Sequence, residues 1–156
     1  MTIPLRNLWI KALTTHAPQK LILLAENLTT GWQVRYKSLP QAGLSLLQME
    51  DGVFHQPYFL GEIPVASAWI ELSNSSSDTS FEGAAFIMDD SIELAVALAV
   101  LDAVMAHQLP GWQKVADLIE QGMEKRALEE AHRSSMLAKT KVNFSLLSQQ
   151  EDDAED

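Results

Sequence analysis

Trp32-Gln33-Val34-Arg35-Tyr36-Lys37 alternates apolar with polar residues, the period of a strand that buries one face. Pro40 and Gly43 punctuate a turn after it, and Leu44-Ser45-Leu46-Leu47-Gln48-Met49 reads as its neighbour. Asp51-Gly52 is a hairpin signal. Tyr58-Phe59-Leu60 forms the next short strand, closed by Gly61-Glu62. Because proline is tolerated only at a strand's start or edge, a further strand begins after Pro64 and covers 65–72. There Val65, Ser67, Trp69 and Glu71 alternate against Ala66, Ala68, Ile70 and Leu72. A serine-rich loop over 73–80 separates it from a last strand over 81–88. Consecutive strands with so few crossover helices predict an antiparallel sheet of about four to five strands.

Helices lie on both sides of this run. Leu5, Leu8, Trp9, Ala12 and Leu13 form one apolar stripe. Pro18 opens a second helix carrying Leu21, Leu24, Ala25 and Leu28, and Gly31 ends it. The clearest element covers 91–107, with Asp90 as N-cap and Glu93 completing a capping box. Its residues are apolar nearly all round, including a row of Ala95, Ala99, Ala103 and Ala106, which predicts burial from several sides. Asp102 interrupts the run, which is too short to span a bilayer. After Leu109-Pro110-Gly111, Trp112, Val115, Ile119 and Met123 mark a last amphipathic helix, weakened at Gly122. The predicted class is therefore α+β, an antiparallel sheet covered by helices, with helices at both ends of the chain.

The 156 residues carry 47% hydrophobic and 21% charged side chains, the composition of one globular domain. The expected organisation is a single α+β domain over 1–148 and an acidic, disordered tail over 149–156. Net charge is −10, and Glu151, Asp152, Asp153, Glu155 and Asp156 supply half of it. An acidic chain is a poor match for phosphate backbones, so nucleic acid is not an expected partner. There is no cysteine, which excludes disulfides, thiolate nucleophiles and cysteine-ligated clusters. The first twenty residues show no charged-then-apolar signal pattern, so the expected location is cytoplasmic, with no membrane partner.

The catalytic inventory is thin. His16, His55, His107 and His132 are scattered without converging ligands, so no metal is expected. No phosphate-cradling loop, dinucleotide fingerprint or nucleophile elbow is present, and no cofactor is expected. Gly61 and Glu62 could present a carboxylate in a pocket, although a tight turn with a solvated glutamate is the plainer reading. Asp89 and Asp90 could hold a cation, although capping of the following helix is the plainer role. The late island Val142-Asn143-Phe144-Ser145-Leu146-Leu147 is too short to build a core, so Val142, Phe144, Leu146 and Leu147 are candidate partner contacts.

Several features in fixed order resemble the PhnG family of the bacterial carbon–phosphorus lyase pathway. These are Trp9-Ile10-Lys11-Ala12-Leu13, Pro40-Gln41-Ala42-Gly43-Leu44, Phe59-Leu60-Gly61-Glu62-Ile63-Pro64-Val65, and Gly83 followed by Phe86-Ile87-Met88. Ala95, Ala99, Leu101-Asp102-Ala103 and the closing Thr140-Lys141-Val142-Asn143-Phe144 continue the likeness. The chain departs from the family pattern at Ala66-Ser67, where Thr-Arg is usual, and at Asp89-Asp90-Ser91, where Gly-Arg-Asp is usual. Arginine's bidentate contacts cannot be supplied by serine or aspartate, which marks the chain as a divergent member.

The resemblance implies an accessory subunit of the carbon–phosphorus lyase complex in phosphonate catabolism. Such a subunit supports formation of ribose 1-phosphonate 5-triphosphate from ATP and a phosphonate, and docks chiefly onto the nucleosidase-like subunit. It would be non-catalytic alone and could form a homo-oligomer when isolated. The alternatives are a stand-alone binding protein for a small phosphonate-like molecule, and an independent enzyme using Glu62, Asp89 and Asp90.

Overall fold

The computed structural model describes residues 4–74 and 79–140. A short 3-10 turn (Arg6–Leu8) leads into α1 (Trp9–Leu13) and α2 (Pro18–Leu28), followed by β1 (Gln33–Glu50), β2 (Pro57–Ser73) and β3 (Ser80–Ile87). Helices α3 (Ile92–Ala106) and α4 (Trp112–Thr140) complete the order. Two compact units result, one closing at Met123 and one beginning at Glu124.

The strands form an antiparallel sheet in the order β1-β2-β3, so the described residues hold three strands rather than four to five. The difference lies in the punctuation. Pro40, Gly43, Gly61 and Pro64 do not turn the chain, because the segments before and after them find partners on the same neighbouring strand. β1 pairs with β2 from Gln33↔Ser73 to Glu50↔Pro57, with irregularities between Tyr36 and Ser38, between Ser38 and Gln41, and between Leu47 and Gln48. Pro40 falls inside the second of these, where two residues of β1 face one of β2 and its missing N–H breaks no ladder bond. What reads as four strands is one long hairpin. Gly61 and Glu62 are accordingly not a turn; they sit within β2 opposite Leu47 and Leu46.

In the first unit the helices cover one face of the sheet. Ala66, Ala68, Ile70 and Leu72 of β2, with Ala85 and Ile87 of β3, point into this layer, as the alternation predicts. Leu94 to Met105 of α3 is buried except at Val96, so the all-round apolar helix is enclosed from several sides. Its alanine row lets the sheet come close: a Cβ on Gly83 would stand 2.1 Å from the Ala99 carbonyl oxygen and 2.7 Å from Ala103 Cβ. The cap of α3 is one residue later than the sequence suggests. Ser91 Oγ accepts from Leu94 N–H at 3.1 Å, while Asp89 accepts from Ser91 N–H at 2.8 Å. The serine hydroxyl is short enough to reach the third helical amide, and the aspartate instead closes the turn that delivers it.

Gly122 does not interrupt α4. A Cβ there would lie 2.2 Å from the Ala12 carbonyl oxygen, so glycine is what lets α1 and α4 touch. Among the described residues no helix is long and apolar enough to cross a membrane. In the second unit, residues 124–139 are all exposed.

Candidate functional site

β3 ends at Ile87, paired with Ala66, whereas β1 and β2 continue together to Glu50 and Pro57. Residues 43–50 and 57–65 therefore form a two-stranded arm beyond the three-stranded sheet. Eight residues at strand rise make it roughly 27 Å long. A two-stranded ribbon on its own is marginal in water, and ordinarily such a ribbon is polar on at least one face. This one is not. Leu44, Leu46, Met49, Tyr58, Phe59 and Leu60 are all exposed. Leu44 and Leu46 share one face, Leu47 the other, so both sides present apolar surface.

The tip is ordered by its own polar groups. Asp51 accepts Phe54 N–H at 2.8 Å through its carboxylate and His55 N–H at 2.9 Å through its carbonyl, and Asp51 N–H closes the loop onto the Gln56 carbonyl. His55 Nδ1 lies 2.9 Å from a Glu50 carboxylate oxygen. This scaffolding holds Val53 and Phe54 out to solvent, 76% and 77% exposed. From Ser38 to Ala68 the chain carries three carboxylates (Glu50, Asp51, Glu62) and neither lysine nor arginine. The arm is apolar and weakly acidic.

The rest of the sheet's open face is a charge network. Arg35 donates to Glu71 at 2.6 Å, Lys37 donates to Glu82 at 2.8 Å, and Trp69 Nε1–H donates to Glu82 at 3.1 Å. Arg35, then the Ser80 hydroxyl, hold the Glu71 carboxyl below its usual range, and Lys37 does the same for Glu82. A carboxylate whose folded value is depressed contributes stability above its unfolded value, about 4.3 for glutamate, and loses it as pH falls through the folded value. Melting temperature should therefore drop as pH is lowered from about 5, and the drop should be shallower in Glu71→Gln/Glu82→Gln. Parallel curves for the two proteins would remove these carboxylates from the stability of the fold.

The edge of β3 is closed by α3. Asp102, the charge in the middle of the helix, accepts Ala84 N–H at 3.0 Å and both Arg6 Nε–H (3.0 Å) and an Arg6 terminal N–H (2.6 Å). His107 Nε2 lies 3.3 Å from the Glu82 carbonyl oxygen. Unpaired edge groups invite another strand; here Asp102 of α3 and His107 just after it engage Ala84 N–H and the Glu82 carbonyl. Sequence reasoning read Asp102 only as a break in an apolar run. A carboxylate in the middle of an apolar run was the available signal, but its partners lie 18 and 96 residues away.

The predicted pocket residues do not share one of these features. Gly61 and Glu62 lie on the arm, while Asp89 and Asp90 lie in the turn before α3, with Asp89 engaged by Ser91 N–H. Among the described residues no group of three or more His, Asp or Glu is placed to hold a metal ion. His16 Nε2 sits 2.8 Å from the Leu118 carbonyl oxygen, a packing role. Val142, Phe144, Leu146 and Leu147 lie outside the described residues.

A helix-backed sheet that extends a solvent-facing apolar hairpin has the build of an interaction domain. The chain belongs to the PhnG family: the family model described as phosphonate metabolism protein PhnG matches residues 5–149, nearly its whole length. It is thus a protein of phosphonate metabolism. Among curated proteins none matches it.

Proposed function

We propose that this chain is an accessory subunit of the carbon–phosphorus lyase complex, and that its arm is the element by which it docks. The family membership supports the setting, and the arm's exposed apolar surface is the single observation that supports the mode of action. In this reading the subunit works in the cytoplasm beside the nucleosidase-like subunit. It supports the transfer of a phosphonate from solution to the ribose of ATP, giving ribose 1-phosphonate 5-triphosphate with release of adenine. Its contribution is positional, and a cofactor has no part in it. The acidic, cation-free arm suits a partner groove that is apolar within and basic at its rim. It suits a second copy poorly, since two arms would bring like charges together. The island carrying Val142, Phe144, Leu146 and Leu147 would add a second contact to the same partner, with the domain ending near 148 and the acidic tail beyond it.

Phe54→Ala should leave the melting temperature of the isolated chain unchanged, because a ring that is 77% exposed contributes little to the fold. The same variant should weaken capture of the nucleosidase-like subunit by about 30-fold or more, the loss of a buried aromatic anchor of roughly 2 kcal/mol or above. Capture at wild-type strength by a Val53→Ser/Phe54→Ala double variant would sink the arm as the docking element.

A further inference from the structure

The helical layer stops short of β1. Val34 and Tyr36 stand opposite Leu72 and Ile70, which are fully buried, yet they are 39% and 50% exposed themselves. The inward face of β1 is thus left open beside α2 and α3. It forms the floor of a trough of about 620 Å³, walled by Ile22 and Ala25 of α2 and by Ile92, Val96 and Val100 of α3. Pro40 closes the end toward the arm.

Its chemistry is specific in two ways. Apart from Thr29 the floor and walls are mainly apolar, and the carboxylates that the described residues place on it are Glu26 of α2 and Glu93 of α3. Among the described residues no lysine or arginine lines it, and neither glutamate has a side-chain ion pair or hydrogen bond. Its shape is equally informative. A small-molecule site encloses most of its ligand's surface, whereas this trough is open along its length and lies in the layer otherwise filled by helices.

We infer that the trough receives an amphipathic helix of a protein partner, apolar on the face that meets Val34, Tyr36 and Val96, and carrying lysine or arginine opposite Glu26 and Glu93. The inserted helix would complete the helical layer over β1. The site is separate from the arm, so its test does not depend on the docking role proposed above.

The test uses the full chain and a synthetic 18-residue helical peptide of leucine and lysine, titrated by calorimetry. An otherwise identical leucine–glutamate peptide is the comparison. The lysine peptide should bind at least about tenfold more tightly than the glutamate peptide. Glu26→Gln/Glu93→Gln should cut its affinity about tenfold, whereas Glu120→Gln/Glu124→Gln, a pair also exposed on α4, should not. Val34→Trp, which fills the trough from an exposed position, should abolish binding with an unchanged circular dichroism spectrum. Phe54→Ala should bind the peptide as the parent does, which keeps the trough distinct from the arm. Equal losses in the two glutamate pairs would reduce the effect to general charge attraction and overturn the proposal. Undiminished binding by Val34→Trp would overturn it too. So would benzyltrimethylammonium binding as tightly as the lysine peptide, which would make the trough a small-molecule site.

Discussion

Gly83→Ala should destabilise the protein by about 3 kcal/mol or more, a large share of the 5–15 kcal/mol that holds a domain of this size together. The added methyl would meet the Ala99 carbonyl oxygen at 2.1 Å and the Ala103 amide nitrogen at 2.6 Å. Both are backbone atoms of α3, so no rotamer change can relieve the overlap; β3 must lift off the helix instead. Lifting it would also pull Ala84 N–H away from Asp102. Gly43→Ala is the matched control, since a Cβ there meets nothing within 4 Å. It should shift stability by less than about 1 kcal/mol, and could raise it by restricting the unfolded chain. Urea denaturation of both variants decides the matter. A Gly83→Ala midpoint close to that of the parent would mean that the sheet and α3 are not packed as closely as this.

Asp102→Ala should lower stability by roughly 2–3 kcal/mol. The carboxylate is 5% accessible and makes three hydrogen bonds, one to a backbone amide of an edge strand. Its removal strands Ala84 N–H, which costs about 1–3 kcal/mol if the group stays dry. The Arg6 side chain, 55% exposed, can return to water, so its share of the loss is small. Arg6→Ala works the other way, leaving a buried carboxylate with a single donor. The two losses should therefore be non-additive, the double variant being less damaged than their sum, as expected for partners in one network. Strict additivity in denaturant titrations would show that Asp102 and Arg6 act separately. Beyond stability, Asp102→Ala reopens the β3 edge, so the variant should also show concentration-dependent association by light scattering.

Local periodicity was enough to determine most of the elements of this protein. The alternation of Ala66, Ala68, Ile70 and Leu72 against Ser67, Trp69 and Glu71 names the buried face of β2. The all-apolar stretch of α3 names the central helix, and Pro18 marks the start of α2. These signals are legible because each is set by contacts within a few residues, where side-chain direction follows from the backbone's own repeat. The ordered set of short motifs was likewise sufficient to point to the family, which the match over 5–149 establishes.

Strand number, the arm, the trough and the role of Asp102 depend on distant partners. Pro40, Gly43, Gly61 and Pro64 are turn residues by local preference. They lie within strands because the residues around them pair with a strand that is up to 40 positions away; register irregularities absorb the mismatch at Pro40 and beside Gly61, while Gly43 and Pro64 pair in regular register. Leu44, Leu46 and Phe59 are apolar residues of predicted strands. They are exposed because β3 and the helices end before reaching them, a matter of how far other elements extend. Asp102 reads as a flaw in an apolar helix until Arg6 and Ala84 are brought to it from 96 and 18 residues away. Sequence near a residue sets the backbone's rhythm, but burial and hydrogen-bond partnership are properties of the assembled tertiary structure, and the surfaces this protein offers to others are made of what that assembly leaves uncovered.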